Sequence, residues 1–281
     1  NAFDRRLGQK QVVSRWLGWR LRGMVASALL GCLGIFALAY WLSTEPLLGA
    51  TWRTTGNGQV ELHLAQAPAL KAVQGKTLVG IAGGEGEAAP VDGLVLERSA
   101  RWLIDDPQQE RYLSLHDRLA AALEHPTVQL RFSDSTVLSV DPQPRGFAGL
   151  GLLFWVLCAL ALVLYGVAMA VLMARPGWRN ATYCAMAFAQ AGNLVFIAIE
   201  STLDLAWPRG LANWDLYGRI AFDLITSAGI VHATATHPHR VPHARLIVGM
   251  AWGLSLVLIA LGLAGWLPNL WWWCQGASAL L

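Results

Sequence analysis

Two apolar stretches, residues 181–199 and 216–236, carry polar side chains that are costly to place in lipid unless they are partnered. Gln190 and Asn193 lie in the first and Glu200 just beyond it, spaced three and seven residues apart, so that all three share one helical face. In the second stretch Arg219 and Asp223 stand one turn apart, and His232 follows. If the stretches are adjacent antiparallel helices, the two sets meet. The chemistry is then one of two kinds: ion pairing within the bundle, or a polar pocket whose apolar walls hold the body of a small amphipathic signal. Gln190, Asn193, Glu200, Arg219 and Asp223 are therefore the candidate ligand-binding residues, with Glu200 or Asp223 as alternative proton acceptors. His232 is a further candidate, although interhelical histidines more often serve only as packing partners.

No nucleophile is paired with a base, and Asp223 has no matching aspartate at depth, so the residues define no catalytic site. The four cysteines and seven histidines lack paired zinc-ligand spacing, and no metal or cofactor is expected in this chain. Cys32, Cys158, Cys184 and Cys274 all fall in apolar segments, which argues against a disulfide framework. The net charge of +3 is small, and its basic residues gather at the edges of apolar segments, so nucleic acid is not an expected partner.

Charged residues make up 14% of the 281, against roughly a quarter in ordinary soluble proteins, and the mean hydropathy is +0.42. Much of the chain must meet a lipid bilayer. Most of the fourteen tryptophans lie near the ends of apolar runs, as interfacial belts require.

The elements that would position the candidate residues follow from these patterns. Residues 1–22, with Arg5, Arg6, Lys10, Arg15, Arg20 and Arg22, are expected as a basic, cytoplasmic juxtamembrane helix. Residues 23–43 are the first transmembrane helix, and Gly23, Gly31 and Gly34 with Ala26 and Ala28 give it a close-packing surface suited to a homodimer. Residues 44–146 have the composition of a small α+β domain. Strands are expected at 60–64, 77–82, 91–96, 128–132 and 137–140, with a helix around Leu115, Leu119 and Leu123 that stops at Pro126.

Residues 147–281 form a multi-helix membrane block, with segments at 149–174, 181–199, 216–236 and 246–265 and a last one from Leu270 that is short for a span. The fold class is thus a polytopic α-helical membrane protein. It has at least six transmembrane segments, the last cut short, and an inserted extracytoplasmic α+β domain. Arg175, Arg179, Arg240 and Arg245 flank alternate loops, which places the N-terminus in the cytoplasm and residues 44–146 outside it. The chain is expected to continue past Leu281.

Residues 74–83 (QGKTLVGIAG), the helix at 115–124 and the strand VQLRF at 128–132 resemble the latter half of a PDZ domain. With the junction 145–155 (RGFAGLGLLFW), Ala174-Arg175-Pro176 and His237-Pro238, nearly the whole chain resembles the membrane-embedded input region of proteobacterial sensor histidine kinases. That resemblance implies a bacterial inner-membrane protein with residues 44–146 in the periplasm. It also implies a homodimer, a downstream kinase core using ATP and magnesium, and a cytoplasmic response regulator as partner. His237, His239 and His243 are unsuited to accept phosphate, because Pro238 and Pro242 interrupt the helix that such a histidine needs. The alternative from another class is a transporter or an accessory subunit of a membrane assembly. It would show repeats and broken helices, and neither is visible.

Overall fold

The computed structural model describes the backbone of residues 2–84 and 86–281, and the side chains of residues 18–84 and 86–281. After a long helix α1 (Ala2–Thr44) the chain forms strands β1 (Pro46–Leu47), β2 (Ala50–Thr54), β3 (Val60–Ala65), β4 (Thr77–Gly83) and β5 (Ala89–Pro90). Helix α2 (Asp106–Leu123) and strands β6 (Val128–Phe132), β7 (Val137–Val140) and β8 (Gln143–Pro144) complete this part. Five helices follow: α3 (Gly151–Ala174), α4 (Trp178–Glu200), α5 (Leu211–Thr236), α6 (Ala244–Leu263) and α7 (Leu270–Leu280). The protein is a helical bundle with a small α+β domain inserted between its first two helices.

The main sheet is antiparallel in the order β2-β3-β4-β6-β7, with β5 also paired to β4. In β6, Val128, Leu130 and Phe132 alternate inward against Leu115 and Leu119 of α2, the period of two expected of a half-buried strand. β1 pairs with β8 where the chain enters and leaves the domain, and Gly146 N–H donates to the Ser43 carbonyl at 2.8 Å. This neck holds the end of α1 beside the start of α3.

One expectation needs correcting. Residues 91–96 do not form a strand. The Asp92 carboxylate accepts the Leu94 N–H at 3.0 Å, and this local capping bond curls Gly93–Leu96 into a 3-10 turn. Among the described residues, four segments are long and apolar enough to cross a membrane by length and composition alone: Gly18–Thr44, Ala148–Ala174, Trp178–Glu200 and Ala244–Leu263. α5 falls short of that apolarity because it carries Asp215, Arg219 and Asp223, and α7 has 11 residues. The first of these spans belongs to one continuous helix with the preceding segment. The amphipathic face expected from Val12, Val13, Trp16 and Leu17 lies outside the described side chains.

α1 lies on α3. A Cβ at Gly31 would stand 3.0 Å from the Tyr165 ring, and one at Gly23 3.2 Å from the Met173 side chain, so these glycines serve packing within the chain. Ser27 donates a 2.9 Å hydrogen bond to the Tyr165 hydroxyl along the same seam.

The helices alternate in direction, so the sheet domain caps one end of the bundle. Arg20, Arg22, Arg175, Arg179, Arg240 and Arg245 all sit at the other end. The two parts share side chains. Leu205, from the α4–α5 loop, is buried in the core of the sheet domain, whereas Ala100 and Tyr112 of that domain are buried among bundle residues.

Candidate functional site

α4 and α5 run antiparallel and touch along their length because small residues permit it. A Cβ at Gly192 would collide with the Phe222 ring. This approach brings the polar faces together in three rungs. Gln190 Nε2 donates to Thr226 Oγ1 at 2.9 Å, Asn193 Nδ2 to Asp223 Oδ1 at 3.1 Å, and Arg219 Nη1 to Glu200 Oε1. Arg219 also reaches Asp215, one turn earlier on α5, at 3.3 Å. The side chains of Arg219, Glu200 and Asp215 are all less than 10% exposed, so their charges must be balanced locally.

The balance comes from the sheet domain. A one-turn 3-10 helix, Ala100–Trp102, is capped by Ser99, whose Oγ accepts the Arg101 N–H at 3.3 Å. The same hydroxyl donates to Asp215 Oδ2, and Arg101 Nη2 donates to Asp223 Oδ2 at 2.7 Å. Three carboxylates (Glu200, Asp215, Asp223) thus face two guanidiniums (Arg101, Arg219), leaving one formal negative charge in a largely enclosed cluster.

Three further contacts tie the domain to the bundle. Arg145 Nη1 donates to Thr202 Oγ1 at 2.8 Å, and burial draws its guanidinium below the ordinary value. Trp207, in the α4–α5 loop, donates its indole N–H to the Tyr112 hydroxyl at 2.7 Å and its backbone N–H to His116 Nδ1 at 3.2 Å. Asp106, in the first turn of α2, accepts the backbone N–H groups of Asn269 (2.6 Å) and Leu270 (3.3 Å), so its carboxylate caps α7.

Beside the cluster a cavity of about 420 Å³ separates the sheet domain from the helix ends. Its floor includes Glu200, Ser201 and Asp204, its domain wall Trp52 and His116, and its bundle side Leu153 and Ile197. Burial pushes the Asp204 carboxyl up to about 6, although the Leu48 N–H and Arg145 both favour its charged form. Burial pulls His116 down to about 3, so its ring is neutral.

The five expected site residues therefore converge, but as a network closed on itself and on Arg101 rather than as an open pocket. Of the five, Glu200 reaches the cavity wall. His232 lies apart, toward the arginine-bearing end. Its Nδ1 stands 3.1 Å from Thr182 Oγ1 and accepts the Trp252 indole N–H at 3.4 Å, which links α4, α5 and α6. Sequence reasoning missed Ser99, Arg101 and Asp215. Arg101 and Asp223 are 122 residues apart, and no periodicity joins them. The available signal was the charge count: Asp215, Arg219 and Asp223 recur at four-residue steps beside Glu200 and call for a second cation.

Among the described residues, no cluster of three or more His, Cys, Asp or Glu side chains is placed to hold a metal ion. Comparison with protein-family models, with curated proteins and with solved structures finds no match.

Proposed function

We propose that the chain is the signal-input part of a bacterial inner-membrane sensor, whose output is a cytoplasmic histidine kinase core beyond these 281 residues acting on a response regulator. In this reading the sheet domain is a PDZ-like periplasmic module, and α1 and α3 to α7 are six membrane segments. The arginines at the end of the bundle opposite the domain support that orientation. The length of α5 supports its crossing the membrane despite its charges: 26 residues rise about 39 Å. Its charged face meets α4 and the domain rather than lipid.

The observation that carries the reading is the insertion of Ser99 and Arg101 from the domain into the buried charge cluster of α4 and α5. A state of the domain that withdrew Arg101 would leave Asp223 without its cation and change the packing of both helices. A signal that favours one of the two states shifts their populations by its differential affinity. No such consequence attaches to a domain that is only tethered.

The test is hydrogen exchange in lipid nanodiscs. Arg101→Met is expected to speed exchange at the far ends of α4 and α5, around Thr182 and His232, with the sheet domain still folded. Exchange there equal to that of the parent protein would sink the input reading. Reading the encoding gene past Leu281 tests the kinase assignment separately.

A further inference from the structure

At the end of the bundle away from the sheet domain the charge is one-sided. Arg22, Arg175, Arg179, Arg240 and Arg245 are exposed there, and residues 18–26, 169–186 and 227–250, which make up that end, contain no Asp or Glu. Among the described residues, none of these five arginines is paired with a carboxylate. The missing negative charge has to come from outside the chain.

A pocket of about 380 Å³ opens at this end between α4 and α5, with Val171 of α3 beside it. Arg179, in the first turn of α4, and His237, just past the end of α5, form its rim and meet each other, Nη1 to Nε2, at 2.6 Å. A guanidinium only donates, so His237 Nε2 accepts, and its Nδ1 donates to the Thr236 carbonyl at 2.9 Å. The histidine is thereby bonded at both nitrogens and holds Arg179 at the rim, while Arg179 keeps Nη2 and Nε for another acceptor.

Deeper in, the walls are mostly apolar, with Val171, Met186, Ala233 and the half-exposed ring of Tyr183. α4 is long and apolar enough to span a bilayer, and Met186 lies seven residues beyond Arg179, about 10 Å further along the helix. Trp178, 86% exposed beside Arg179, is the kind of aromatic side chain that marks the membrane surface. A cationic rim at the surface above an apolar wall in the hydrocarbon layer matches a lipid, whereas a soluble phosphate would leave that wall unused.

We infer that this pocket binds an anionic phospholipid of the leaflet on the arginine side, with its phosphate held by Arg179 and the start of an acyl chain lying on Val171, Met186 and Ala233. A zwitterionic choline lipid is disfavoured, because its ammonium would sit among uncompensated guanidiniums. The inference requires the bundle to lie in a membrane and is independent of the signalling reading.

The test is native mass spectrometry of the purified chain in a neutral detergent, titrated with lipid. Dioleoylphosphatidylglycerol is expected to form a single saturable complex, about fivefold tighter than any with dioleoylphosphatidylcholine. Arg179→Gln should weaken it about tenfold, as the loss of charge-assisted hydrogen bonds predicts, whereas Arg240→Gln removes the same charge outside the pocket and should change it less than about threefold. Ala233→Trp, at an exposed position of the wall, should abolish the complex with Arg179 still in place. Glycerol phosphate, the head group without chains, should not compete even in large excess. Binding without saturation, equal affinity for the two lipids, equal losses in Arg179→Gln and Arg240→Gln, competition by glycerol phosphate, or a complex that survives Ala233→Trp overturns the inference.

Discussion

Replacing Arg101 by methionine removes one of the two cations from a cluster that also holds three carboxylates. Asp223 then loses a 2.7 Å ion pair and keeps only the Asn193 amide. Breaking a fully buried pair by deleting one partner costs about 3–5 kcal/mol. The Asp223 side chain is 29% exposed, so solvent recovers part of that, and about 2–3 kcal/mol is expected. In native-state hydrogen exchange this corresponds to roughly 30- to 140-fold faster opening of residues 99–103 and of the first half of α5. The double variant Arg101→Met, Asp223→Leu removes both charges together. It should return to within about 1 kcal/mol of the parent protein, the remainder being the Asn193 amide that loses its acceptor. The reasoning is refuted if Arg101→Met changes exchange by less than about threefold, or if the double variant loses the sum of the two single losses.

Three other perturbations probe neighbouring contacts. Asp106→Ala removes the carboxylate that caps α7 and should destabilise its first turn by about 1 kcal/mol, read as faster exchange at residues 270–273 and little change in α6. Asp204 is raised from 3.8 to about 6, so its contribution to stability is complete below pH 3.8 and is lost as pH rises through 6. His116 is lowered from 6.5 to about 3, so its contribution is complete above pH 6.5 and is lost as pH falls through 3. The two oppose each other between about pH 4 and 6. Asp204→Asn should therefore unmask a rise of about tenfold in folding constant per pH unit across that window, measured by denaturant unfolding at stepped pH. Gly192→Ala should cost about 1–3 kcal/mol because the added methyl meets the Phe222 ring, whereas Gly229→Ala meets the pliable Met186 side chain and should cost less; thermal unfolding of the two variants compares them.

The helices were legible because apolar runs of this length have few other outcomes, and β6 because its alternation is strict. β2 was not, since Trp52 is the one buried side chain among its five residues and leaves no alternation to read. Residues 91–96 misled because a run of apolar side chains resembles a strand until the Asp92 side chain is known to bond the backbone two residues on. In the site, the shared face of Gln190, Asn193 and Glu200 was legible from helical spacing alone, and so was that of Arg219 and Asp223. What those residues meet was not. Arg101 and Ser99 owe their places to the docking of the sheet domain on the α4–α5 loop, through Leu205 and Trp207, and such long-range packing leaves no local pattern.

The account rests on the sheet domain being fixed to the bundle through this shared core and the Arg101 cluster. The direct measurement is a pulsed electron spin resonance distance between labels at the exposed positions 64, on β3, and 241, beyond α5, in lipid nanodiscs. A single narrow distribution that broadens in Arg101→Met is the expected result. A broad distribution in the parent protein, unchanged by that substitution, would mean two tethered bodies and contradict the account.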